Sequence, residues 1–92
     1  MSTQRVYKYG LTLGDWISVW MPEGAEPLSV QVQGGDVFLW ARITIGAPQT
    51  LHHFRVAGTG HDLGSNVGRH IDSFQMDEGA FVFHVFAEEA HP

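Results

Sequence analysis

Apolar and polar residues alternate with a period of two along almost the whole chain, the pattern of half-buried strands. Tyr7, Tyr9, Leu11 and Leu13 share one face of the segment Val6 to Leu13, with Lys8 and Thr12 on the other. After a turn at Gly14-Asp15, Ile17, Val19 and Met21 share a face of the next segment, Trp16 to Met21. The breaker-rich run from Pro22 to Pro27 reads as a loop. From Leu28 to Gln33, the alternation predicts Leu28, Val30 and Val32 inside and Ser29, Gln31 and Gln33 in water. Gly34-Gly35 supplies the positive φ of a tight hairpin, which predicts a return strand over Asp36 to Ile45. Gly46-Ala47-Pro48 turns the chain into a strand over Thr50 to Ala57. Four glycines between Gly58 and Gly68 mark the longest irregular segment, with one helical turn expected around Leu63. His70 to Met76, a turn at Asp77-Glu78-Gly79 and a strand over Ala80 to Ala87 complete the series. Residues 88–92 read as a fraying tail, leaving 4–87 as the ordered part of a single domain.

No segment keeps apolar spacing at i, i+3, i+4 and i+7 beyond one turn. About seven short strands with turn signals roughly every ten residues predict an all-β fold, a small antiparallel sandwich or open barrel. Two strands are apolar on both sides. Phe38 and Trp40 back onto Val37, Leu39, Ala41, Ile43 and Ile45, and Val82, His84 and Phe86 back onto Phe81, Phe83 and Val85. Such strands need cover on both faces. The cover is expected from Trp16, Trp20 and loop residues of the same chain, or from a second subunit meeting Phe38, Val82 and Phe86. The second alternative predicts a homo-oligomer, most simply a twofold dimer.

Composition narrows the class. The chain has 92 residues, 43% hydrophobic and 16% charged, as expected of one globular domain. No apolar run approaches the roughly 18 residues of a membrane span, and Met1 to Arg5 lacks the apolar stretch of a signal peptide. A soluble cytosolic protein is expected. Cysteine is absent, which excludes disulfides, thiolate metal sites and thiol nucleophiles. Five basic against ten acidic residues give a formal charge of −5, which argues against general nucleic-acid binding.

Candidate chemistry is sparse. Six histidines, at 52, 53, 61, 70, 84 and 91, show neither His-x-His on a strand nor a helical pair four apart, so no metal or other cofactor is expected. No serine sits in a Gly-x-Ser-x-Gly elbow, and Asp77-Glu78 and Glu88-Glu89 read as solvated charges, so no catalytic residue is assigned and no enzyme is expected. Gly58-Thr59-Gly60-His61 resembles half of a phosphate-binding loop, though Leu63 replaces the third glycine of a dinucleotide loop and no Gly-Lys-Ser/Thr follows. It is either a structural turn or an anion site served by the flanking Arg55 and Arg69. The row Ser29, Gln31 and Gln33 is either the wet face of a sheet or a surface for an added strand.

The runs Leu28-Ser29-Val30-Gln31-Val32-Gln33, Leu39-Trp40-Ala41, Gly58-Thr59-Gly60-His61, Ser73-Phe74-Gln75-Met76 and Gly79 to Phe86 recur in order. In this the chain resembles, from Tyr7 to Phe86, a family of short uncharacterised proteins common in bacteriophages and prophage regions. Other members often carry a charged residue in the stretch Gly14-Asp15-Trp16-Ile17, which marks Trp16 and Trp20 as features of this chain. The family brings no assigned activity. The resemblance implies a small protein acting in the host cytoplasm, without enzymatic activity. The leading expectation is counter-defence by sequestering a phosphorylated small ligand such as a nucleotide signal. Arg55 and Arg69 would meet phosphate beside Gly58, Thr59 and Gly60, His61 would donate a hydrogen bond, and Trp40 or Tyr9 would stack on a base. The alternatives are an anti-CRISPR-like inhibitor of a host defence complex and a minor virion or assembly protein.

Overall fold

The structure, a computed structural model, describes residues 3–88. Seven strands form in chain order: β1 (Gln4–Leu11), β2 (Trp16–Pro22), β3 (Glu26–Gln33), β4 (Asp36–Thr44), β5 (Gln49–Gly58), β6 (Val67–Met76) and β7 (Phe81–Glu88). They assemble into a three-stranded sheet of order β1-β4-β3 and a four-stranded sheet of order β2-β5-β7-β6, every pairing antiparallel. The two sheets pack as an open sandwich, not a closed barrel, measuring 45 × 35 × 16 Å. Among the described residues, no helix is long and apolar enough to cross a membrane.

The predicted inner faces make the core. Val37, Leu39, Ala41 and Ile43 of β4 meet Phe54, Val56, Phe74 and Val85 of the other sheet, with Met21 and Val30 between them. At roughly 1.5–3 kcal/mol for each fully buried large apolar side chain, these contacts supply the main driving force. One carboxylate also joins the sheets along their long seam. Asp72 Oδ2 accepts from the backbone N–H of Val30, at 2.8 Å, and from Gln31 Nε2, at 3.3 Å.

Three expectations are corrected. Leu28 is the extra residue of a β-bulge between Pro27 and Ser29, and it lies 40% exposed, not inside. The bulge breaks the period of two for one residue. No helical turn forms at Leu63; among the described residues the one short 3-10 element spans Asp77–Gly79 instead. Glu88, expected in the tail, belongs to β7, and the rest of that expected tail, residues 89–92, lies outside the described residues.

Segment 59–66 is a crossover. Strand β7 runs between β5 and β6, so the chain leaving Gly58 beside Phe83 re-enters its sheet at Val67 beside Glu88. The loop therefore spans the length of β7, and Arg55 anchors it.

Candidate functional site

At the end of β5, the segment 58–61 closes a β-turn in which the His61 N–H donates to Gly58 O at 3.1 Å. Gly60, at φ 89°, occupies the position of a type II turn that disfavours a side chain. Gly58 has a different reason to be glycine. The His61 ring lies about 3.1 Å from where a Cβ on Gly58 would sit, so the imidazole packs flat on bare backbone. Opposite, the start of β7 presents Phe81 and Phe83, stacked with centroids 6.4 Å apart, and Phe83 stacks in turn on the buried Phe74. Between them lies a cleft of about 570 Å³ walled by Gly58, Thr59, His61, Phe81, Val82 and Phe83. Through Gly58, His61 and Phe83 it adjoins a smaller cavity of about 250 Å³ reaching Leu13 and Val56. Such volumes suit a small molecule or one large side chain.

The lip of the cleft is strained. Asp77 and Glu78, at φ 51° and 56°, are consecutive non-glycine residues in the left-handed region, leading through Gly79 and Ala80 into Phe81. Each costs roughly 1–3 kcal/mol, a cost that recurs beside functional surfaces.

A polar row crosses the outer face of β7 behind the cleft. His84 bridges two hydroxyls, its Nε2 2.8 Å from Thr59 Oγ1 and its Nδ1 2.7 Å from Ser73 Oγ, and Ser73 Oγ lies 3.0 Å from His70 Nε2. One consistent protonation has His70 donating to Ser73, Ser73 to His84 and His84 to Thr59. No carboxylate ends this row, and no group of histidine and acidic side chains suited to a metal occurs among the described residues. Sequence spacing had not singled out Ser73 and His84, because strand register alone makes them direct partners across the β6–β7 hairpin.

The sequence-predicted site residues do not all converge. Gly58, Thr59 and His61 line the cleft, and Gly60 shapes their turn. Two amides of the turn are already bonded, Thr59 N–H to Val82 O and His61 N–H to Gly58 O. Arg55 is 8% exposed, and its guanidinium donates to the carbonyls of Asp15, Val56, Asp62 and Leu63 at 2.7–3.0 Å. It also lies 3.6 Å from the Asp15 carboxylate and 5.7 Å from the Trp16 ring. Arg69 is exposed near the opposite end of β7, between Val67, which faces Glu88, and His70, which faces Phe86.

Trp40 belongs to the other sheet. It stands edge-on to Phe38 on that sheet's outer face, beside a shallow depression lined by Ser29, Gln31 and Gln33. Lys8 reaches over the Phe38 ring at 4.4 Å. Val82 and Phe86, both half-buried, lie on the outer face of the four-stranded sheet, so the three expected interface residues occupy opposite sides of the sandwich. Trp16 packs on Arg55 and Trp20 lies across from Leu51, on the four-stranded sheet and away from Phe38 and Trp40.

No curated protein and no solved structure matches the chain. A family model does match residues 2–92, and the chain belongs to that family, a domain of unknown function designated DUF7352.

Proposed function

We propose that this protein is a non-enzymatic binding protein whose partner inserts a flat, uncharged, apolar group, such as an aromatic side chain, between Phe81 and His61. The observation that carries this reading is the cleft wall itself, where Phe81 is 55% exposed beside Phe83 and Val82 while the guanidinium of Arg55 is turned to backbone carbonyls. Aromatic pairs contribute about 0.5–1.5 kcal/mol beyond the area they bury. The resemblance to phage and prophage proteins supports a setting in the host cytoplasm, with a host defence protein as partner and occlusion as the mode of action. The formal charge of −5 suits a partner with a basic surface around the inserted group.

The test is amide-resolved NMR titration with indole, phenol, adenosine, adenosine monophosphate and inorganic phosphate. Indole and adenosine are expected to shift the amides of residues 58–61 and 81–83, and Phe81→Ser is expected to weaken both about tenfold, or 1.4 kcal/mol. Shifts that need phosphate and centre on Arg69 would favour sequestration of a phosphorylated ligand instead. No response to any aromatic probe rejects the cleft as the site.

A further inference from the structure

The sandwich has four edge strands, and three carry features that block pairing with another chain. Strand β1 has Arg5 and Lys8. Strand β3 has Glu26, Pro27 and the bulge at Leu28, and its Val30 N–H is taken by Asp72. Strand β6 shifts register twice, between Val67 and His70 and between His70 and Asp72. Charges, proline and bulges on edges are the usual protections against intermolecular pairing.

Strand β2 has none of these from Trp16 to Met21. That run is uncharged, and its register with β5 is unbroken. Its open side follows from the ladder. Asp15 O accepts from Val56 N, and the Glu23 N–H donates to Pro48 O, both on the same register. Alternation between these pairs bonds Ile17, Val19 and Met21 to β5 and turns the N–H and C=O of Trp16, Ser18 and Trp20 away from it. Beside this row runs a groove of about 450 Å³, its other wall formed by Gly10 to Gly14.

We propose that this edge pairs with the same edge of a second copy, antiparallel about a twofold axis at Ser18. The run is self-complementary. Ser18 faces the partner's Ser18 and Trp16 faces the partner's Trp20, giving six main-chain hydrogen bonds and a row of four indoles on one face. Trp16 and Trp20 are 47% and 62% exposed in the single chain, so pairing has apolar area to remove from water. Two copies, each with a formal charge of −5, repel one another, and an uncharged strand is where that repulsion is least. Pro22 lacks an N–H and ends the free run, which keeps the interface short and the affinity micromolar.

Sedimentation equilibrium from about 10 to 500 µM tests this. The mass is expected to rise from 10.2 kDa towards twice that value. Ser18→Pro removes an outward N–H and the exposed hydroxyl 2.7 Å from His53 Nδ1 but leaves the β5 ladder intact, and Trp20→Lys puts a charge on the edge. Each is expected to weaken association at least tenfold with unchanged circular dichroism. Because the chain has no cysteine, Ser18→Cys offers a single pair of facing thiols, which a short bis-maleimide is expected to link into a covalent dimer. A 10.2 kDa particle at every concentration overturns the proposal. So does a dimer indifferent to both Ser18→Pro and Trp20→Lys, or one in which Ser18→Cys does not cross-link.

Discussion

Replacing Arg55 by methionine keeps most of the buried stem and removes five N–H donors. Four carbonyls then lose a hydrogen bond: those of Asp15, which keeps the Val56 N–H, and Val56 beside the strands, and those of Asp62 and Leu63 in the crossover. A hydrogen bond to a charged group contributes about 1.5–3 kcal/mol. Asp15, Asp62 and Leu63 are themselves exposed, so water can reach part of what the guanidinium leaves. Counting about a third of the bonded total of roughly 6–12 kcal/mol gives a loss of about 2–4 kcal/mol, within the range of a broken buried network. For a domain of this size each kcal/mol moves the melting temperature by about 4–8 °C, so a fall of about 10–25 °C is expected by calorimetry. Asp15→Ala is the control. Its carboxylate is 3.6 Å from the guanidinium but its side chain is 89% exposed, so its removal is expected to cost under about 1 kcal/mol. A melting temperature for Arg55→Met within about 4 °C of the parent, or Asp15→Ala as damaging as Arg55→Met, would refute the view that carbonyl capture fixes the crossover.

Two further effects follow from the packing. Asp72→Ala leaves the buried Val30 N–H and the Ser73 N–H without their carboxylate, and the midpoint of urea unfolding is expected to fall by the equivalent of about 1–3 kcal/mol; Asp72→Asn, which keeps one oxygen for Val30, recovers more than half, and equal midpoints for all three proteins would refute the seam. Burial first, and the neighbouring Tyr7 second, hold the Tyr9 phenol above its ordinary pKa of 10.0, so the folded state keeps this proton more tightly than the unfolded chain. The stability this contributes is complete below pH 10 and is lost as pH rises from there through the folded value. Urea titrations across that range are expected to show a steeper alkaline loss in the parent than in Tyr9→Phe, and parallel profiles would contradict the assignment.

The strands and their inner faces were legible because a period of two is a local property. Val37, Leu39, Ala41 and Ile43, every second residue of β4, are each under 5% exposed. What alternation did not reveal is where it slips. Leu28 belongs to the inner set by parity, yet one inserted residue moves it to the surface while Val30 stays at 0% exposure. Partner choice was equally hidden. The insertion of β7 between β5 and β6 depends on the crossover at 59–66, which Arg55 anchors through the carbonyls of Asp62 and Leu63. The two-faced character of β4 was visible, but one contact on its outer face was not: the Lys8 ammonium lies over the Phe38 ring, although Lys8 looks merely solvated in the sequence.

Arg55 shows why the site was harder to read than the fold. An arginine beside a glycine-rich loop has two physical meanings, and peptide orientation decides between them. If the loop turns its N–H groups inward, loop and arginine together hold an anion. If it turns its carbonyls inward, the arginine holds the loop. Here Asp62 and Leu63 present carbonyls to the guanidinium, while the amides of Thr59 and His61 are bonded elsewhere. Residue types are the same in both cases, and no periodicity encodes which edge of a peptide faces inward. The same holds for the cleft, since the exposure of Phe81 follows from two left-handed residues at 77 and 78 that redirect the chain just before it. The surface left at that end of the sandwich is therefore apolar and aromatic, with His61 and the Thr59–His84 pair as its polar margin.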